Sequence, residues 1–183
     1  ISETNAQVQK LEQRKNELSS QLNALKDTAD KNEKAAEIAK QNAQTNGILS
    51  GRLAATGEGV VIRISQGSKQ KIDSAILFTL LEELRNSGAE VIEINNVRVV
   101  TSTYISGTAG SLVCDGTKLK SPFTIRAIGD SDNLQNAVNL AGGVGSRLKV
   151  KYGATVSVSP SDKVMIKSTR QAPQYTYAHV IGQ

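Results

Sequence analysis

Stepping alternately by three and four residues from Val8 reaches Val8, Leu11, Lys15, Leu18, Leu22, Leu25, Ala29, Asn32, Ala36, Ala39 and Ala43. This is the a/d seam of a coiled coil, held for about five heptads. Residues 3–46 contain no Pro and no Gly and are mostly good helix formers. They predict one helix of roughly 65 Å. A solitary soluble helix has no use for so narrow an apolar stripe, so a partner helix is expected. Val8, Leu11, Leu18, Leu22 and Leu25 fill most of the first half of the seam and should drive association. Ala and Asn32 fill the second half. Alanine allows close approach with little buried area, and an Asn at a d position sets register at a cost in stability. The partner is expected to be a second copy, giving a homo-oligomer, or another coiled-coil protein.

Gly47, Gly51, Gly57 and Gly59 break this pattern. Ile48, Leu49 and Leu53 can carry the helix a turn further. Residues 1–46 are therefore read as the coiled-coil helix and 47–58 as a short linker, too short for free jointing. From Gly59 the apolar period shortens to that of strands. Val60–Ile64 reads as a strand. Asp73 or Ser74 can cap a helix that buries Ile76, Leu77, Leu80, Leu81 and Leu84 and ends at Gly88. Val91–Ile94 and Val97–Thr101 are strands around Asn95-Asn96, a turn pair that tolerates positive φ. Residues 102–110 are small and polar and read as a surface loop. Ser111–Cys114 and Thr117–Leu119 flank Asp115-Gly116, a strong hairpin signal.

Phe123–Ile128 is a further strand. A second helix starts at Gly129–Asp132, turns Leu134, Ala137, Val138 and Ala141 inward, and stops at Gly142-Gly143. Ala154–Ser159 and Lys163–Lys167 read as two late strands joined at Pro160-Ser161-Asp162. Residues 171–183 read as an edge strand or a tail. The predicted fold class is α+β: a long coiled-coil helix, then a ferredoxin-like (split βαβ) domain over 59–170 with an inserted β-hairpin. Its sheet should be antiparallel or mixed, with two helices on one face.

Charge sharpens the division. Residues 1–46 carry seven basic and seven acidic residues, so the net charge of +5 sits entirely on residues 47–183. That mild excess suits an anionic partner such as a lipid surface or wall polymer. Nucleic acid is not expected, because aromatics are only 3% of the chain, Trp is absent and no Lys/Arg cluster stands beside an aromatic platform. Cys114 is the single cysteine, which excludes an intrachain disulfide and fits a small buried strand residue. No apolar run is long enough to span a bilayer. The chain opens mid-heptad without an initiator Met, and a membrane anchor ahead of Ile1 is the expected missing segment.

No catalytic set stands out, and neither an enzymatic activity nor a metal or cofactor is expected. Gly142-Gly143-Val144-Gly145 lacks the Lys of a phosphate-binding loop and follows a helix, so it reads as a helix stop. Gly57-x-Gly59 precedes a strand and opens no helix, unlike a dinucleotide fingerprint. His179 is the only histidine and has no Cys or carboxylate cluster beside it, against both a zinc site and a Ser–His–acid triad. The best ligand candidates are polar residues that follow strands: Asn95, Arg98, Ser102, Arg126 and Asp130. Two readings stay open for the arginines. Arg98 and Arg126 on neighbouring strands would grip a small anion or wall fragment in bidentate fashion, or they pair internally with Glu90, Glu93 or Asp130 on the sheet's open face.

The stretch from Gly57 to Gly143 also resembles a known pattern. Gly57, Gly59, Val60 and Ile62 match Gly-x-Gly-Val-x-Val. Gly88, Ala89, Glu90, Ile92, Ile94, Asn95 and Arg98 match Gly-Ala-Glu-x-Ile-x-Ile-Asn-x-x-Arg, and Thr101-Ser102 follow. Asp115-Gly116 match a later turn. Pro122, Phe123, Ile125, Ala127, Ile128, Gly129 and Asp130 match Pro-[Phe/Tyr]-x-Ile-x-Ala-Ile-Gly-[Asp/Asn], and Gly142-Gly143-Val144 the closing turn. This set resembles the YlxW/YlxX-like bacterial family of unknown function. Two departures are Asn95-Asn96 in place of Asn-Gly, and Tyr104-Ile105-Ser106-Gly107 where the family often has Arg-Cys-x-Gly. The resemblance implies a single-pass anchor, an extracytoplasmic coiled coil and a small α/β domain. Through its division and cell-wall gene neighbourhood it also implies a scaffold in division or envelope assembly.

Overall fold

The computed structural model describes residues 2–182. Ile1 and Gln183, the ends of the first and last expected segments, lie outside the described residues. The chain divides into two compact units, residues 1–45 and 46–183. Helix α1 runs from Ser2 to Leu49 without a break. From Glu3 to Asn46 every residue is exposed. The apolar seam is exposed with the rest: Leu11 and Leu25 are each 67% accessible and Leu22 is 53%. None of the described helices is long and apolar enough to cross a membrane.

The second unit is built on a five-stranded antiparallel sheet in the order β3–β2–β7–β1–β8. Its strands are β1 (Ala55–Ile64), β2 (Val91–Ile94), β3 (Val97–Val99), β7 (Phe123–Ile128) and β8 (Val156–Ile166). Helix α2 (Ser74–Asn86) connects β1 to β2. Helices α3 (Ser131–Asn139) and α4 (Val144–Val150) connect β7 to β8. Strand alternation sorts the two faces of the sheet. On one face Val60, Ile62, Ile64, Ile92, Ile94, Ile125 and Ala127 form the main core with Leu77, Leu80, Leu81 and Leu84 of α2, Leu134 and Val138 of α3, and Leu148 of α4. On the other face Val91, Ile128, Val164 and Ile166 form a smaller cluster, joined by Ile48 and Ala55.

Local chemistry fixes the element ends. The Asp73 carboxylate caps α2 by accepting from the Ile76 amide at 2.9 Å, and the Tyr152 hydroxyl donates to its second oxygen at 2.7 Å. Asp130 caps α3 by accepting from the Asn133 amide at 2.9 Å. Asn95 and Asn96 both take positive φ, as the tight β2–β3 hairpin requires. Asp115 and Gly116 do the same between β5 (Ser111–Cys114) and β6 (Thr117–Lys118).

Several expectations need correction. The 102–110 loop contains strand β4 (Ile105–Thr108), which extends the inserted hairpin to a small sheet in the order β4–β5–β6. A chain rich in Ser, Thr and Gly pairs there because Ile105 and Leu112 enter the main core. Gly142-Gly143 end α3, but Gly143 also caps a third helix, α4, whose buried Val144 and Leu148 are four residues apart. The two late strands are one, β8, which follows β1 past a bulge between Gly57 and Gly59. Pro160 sits in it without breaking the ladder because β8 is the sheet's edge. The 47–58 linker is mostly element: α1 continues to Leu49 and β1 begins at Ala55, leaving residues 50–54 as the connection. Described residues beyond Ile166 form no strand.

Gly59 is the tightest point of the main sheet. A Cβ built there would lie 1.9 Å from the Ala127 carbonyl oxygen of β7. Gly59→Ala should therefore force β1 and β7 apart and cost about 3 kcal/mol or more, read as a lower urea midpoint at unchanged slope.

Candidate functional site

The cross-strand register sets a row of charges on the face of the sheet opposite the main core. Arg98 of β3 lies beside Glu93 of β2, and Glu93 lies beside Arg126 of β7. The row continues to Val61 of β1 and Ser159 of β8. Thus Glu93 stands between two arginines, and the structure uses those arginines differently.

Arg98 is only 2% exposed. Its guanidinium donates to three backbone carbonyls: Leu53 at 2.8 Å, Ser168 at 3.0 Å and Ile48 at 3.0 Å. Ile48 lies in the last turn of α1, where its carbonyl also accepts from the Gly51 amide at 3.0 Å and a cation is favoured. Burial pulls the Arg98 pKa below its usual value, and the Glu93 carboxylate opposes that pull. Arg170 closes the same region. Its amide donates to the Gly51 carbonyl at 2.7 Å and its Nε to the Arg98 carbonyl at 2.8 Å. Its Nη2 pairs with the Asp115 carboxylate. These contacts secure the end of α1, the 50–54 connection, β3, the β5–β6 turn and the segment after β8. Arg98 is held by backbone carbonyls, and among the described residues it forms no ion pair with Glu90, Glu93 or Asp130.

Arg126 is different. Its Nη1 donates to Glu93 Oε1 at 3.0 Å, while its side chain remains about one-third exposed at 33%. Glu93 is 3% exposed, and its second oxygen accepts from the Ser168 hydroxyl at 2.6 Å. Together Arg126 and Glu93 edge a shallow groove of about 660 Å³, also lined by Val61, Lys163, Val164, Met165 and Lys167.

The other candidates lie apart from the groove. Asn95 holds a turn: its side-chain oxygen accepts from the Thr124 amide at 2.8 Å, and its amide group donates to the Lys120 carbonyl at 2.8 Å. Asp130 is the α3 cap. Ser102 is an exposed turn residue. The lysines of the groove escape the sequence reading, because Lys163–Lys167 reads as a second late strand joined at Pro160-Ser161-Asp162 and not as the continuation of one strand along β1. The signal for Glu93 was present: a single charge within Val91–Ile94, a strand whose four residues are all buried.

Cys114 is buried in β5, and burial pushes its thiol up to about 11, with the Asp115 carboxylate adding to the rise and Arg170 opposing it. The nucleophilic thiolate is therefore scarce near neutral pH. Among the described residues no three or more His, Cys, Asp or Glu side chains are grouped to hold a metal ion.

Arg98→Met leaves the Leu53 and Ser168 carbonyls without this donor and should cost about 3 kcal/mol. Ser102→Ala should stay within about 0.5 kcal/mol of the parent by urea denaturation. A thiol-reactive chromogen at pH 8 should leave Cys114 unmodified in the native chain and label it fully in urea; fast labelling of the native chain would contradict the burial described.

Residues 42–179 match the family model described as a bacterial protein of unknown function, DUF881. A UPF0749 protein of Mycobacterium tuberculosis is 34% identical over 169 residues, covering 90% of this chain and 57% of its own length. The UPF0749 protein YlxW of Bacillus subtilis is 30% identical over 126 residues, covering 64% of this chain and 54% of its own length. The chain thus spans between half and three-fifths of these curated relatives. A crystal structure of an uncharacterized conserved protein from Mycobacterium tuberculosis is 35% identical, with a TM-score of 0.70, and the match covers 76% of this chain and 99% of that one. None of these names is enzymatic. On the family match, which takes in the end of α1, the sheet and the groove, the chain belongs to the DUF881 family of bacterial proteins of unknown function.

Proposed function

We propose that this protein is a non-catalytic interaction protein that associates through the seam of α1. The observation that carries this reading is the exposure of Val8, Leu11, Leu18, Leu22 and Leu25 along a single uninterrupted helix. Side chains of this kind at a and d positions gain stability by inserting between those of a facing helix. The partner is a second copy of the chain, giving a homo-oligomer, or another protein's coiled-coil helix. The domain after α1 then serves as the presented unit. We read that domain as ferredoxin-like; the strand order β2–β7–β1–β8 with helical connections after β1 and β7 supports this. The resemblance to the YlxW/YlxX-like family supports tethering at the extracytoplasmic face of the bacterial membrane, through a segment ahead of Ile1, and a role in division or envelope assembly.

Molar mass by light scattering over a range of concentrations tests the seam. The parent chain should form a dimer or larger species. Leu18→Asp with Leu22→Asp should reduce it to a monomer and leave the urea transition of the second unit unchanged, since both residues lie on the exposed helix. A double variant that associates as strongly as the parent would sink the proposal.

A further inference from the structure

We infer that the groove on the open face of the sheet is a binding site for a phosphate monoester. Three cations line it: Arg126, Lys163 and Lys167. Glu93 is its one lining carboxylate among the described residues, and both Glu93 oxygens already accept hydrogen bonds within the protein. The count leaves two positive charges over. Neither lysine takes part in an ion pair among the described residues.

A phosphate monoester carries about −1.5 to −2 charges at neutral pH and offers three acceptor oxygens. It matches this excess better than a monocarboxylate or a phosphodiester, each with one charge. Glu93 does more than reduce the charge. By accepting from Nη1 it orients the Arg126 guanidinium, leaving Nη2 and Nε as an ordered pair of donors of the kind that favours phosphate oxygens. Val61, Val164 and Met165 supply an apolar surface beside the cations for the carbon part of the ester. The volume of about 660 Å³ lies within the range of small-ligand sites. The site lies within residues 61–168 and is independent of the seam of α1. Its cations differ from the pair singled out in the sequence: Arg126 stays, Arg98 is committed to backbone, and the two lysines of the β8 region complete the set.

Calorimetric titration of the full chain with glycerol 3-phosphate tests the assignment, with succinate as a carboxylate of equal charge. Saturable binding is expected for the phosphate and weaker binding for succinate. Lys163→Gln with Lys167→Gln should weaken the phosphate by about tenfold or more. Lys118→Gln with Lys120→Gln removes the same charge from β6 and its flank and should change affinity by less than about twofold. The source of the phosphate is read separately, by flotation with vesicles that contain phosphatidic acid. Binding to vesicles with the same lysine dependence, but not to glycerol 3-phosphate, assigns the monoester to a lipid headgroup. Equal losses in the two double variants, succinate binding as tight as the phosphate, or no saturable binding to either source would overturn the inference.

Discussion

A single buried guanidinium holds together the segments on the second face of the sheet. Arg98 is enclosed at the edge strand β3, and a charge there would be costly without partners. Its partners are backbone carbonyls from three separate stretches, at Ile48, Leu53 and Ser168. The Leu53 and Ser168 carbonyls would otherwise be unpaired acceptors at a face with only a small apolar cluster. Glu93 offsets the positive charge, and Arg170 repeats the arrangement from the opposite direction, reaching from the end of the domain to Gly51 and Asp115. Among the described residues no buried side-chain polar atom is left without a partner. The polar network therefore substitutes for a second hydrophobic layer.

The two faces consequently differ in kind. The helix-covered face is filled by Leu, Ile and Val from α2, α3, α4 and the small sheet, and it supplies most of the apolar burial. The opposite face joins a small apolar cluster to an ordered set of charges. Glu93 is central to that face because it serves Arg126 and Ser168 directly and stands beside Arg98 in the register. The same carboxylate therefore stands beside a structural arginine and shapes the setting of one that is one-third exposed. Nothing comparable occurs along α1, where every residue from Glu3 to Asn46, the apolar seam included, is exposed.

The sequence was most legible where one residue type serves one local need. The apolar spacing of α2 marks the five residues that are buried. Asn95-Asn96 and Asp115-Gly116 mark turns that do take positive φ. Legibility failed where tertiary contact decides. β4 is polar and Gly-containing, and it pairs with β5 because Ile105 and Leu112 reach the core. α4 is seven residues long and hides behind two glycines that read as a stop. Pro160 suggested a break in β8, because nothing local shows that its strand lies at an edge. For the site, strand alternation could put Arg98 and Arg126 on one face. It could not tell that Arg98 is enclosed by Ile48, Leu53 and Ser168, residues up to 70 positions away. Nor could it bring Lys163 and Lys167 to Arg126, since that depends on the path of β8 beyond its bulge.

The Arg98 Nη1 group accommodates Leu53 and Ser168 at once, and Nη2 holds Ile48. The points where the chain arrives at the sheet and leaves it are thus neighbours across one side chain. A pulling force applied between α1 and the residues after Ser168 would load this short bridge before it reached the strands. Because Ala55 and Ile166 pair directly across β1 and β8, the bridge reinforces the end of the sheet at which that strand pair would begin to unzip.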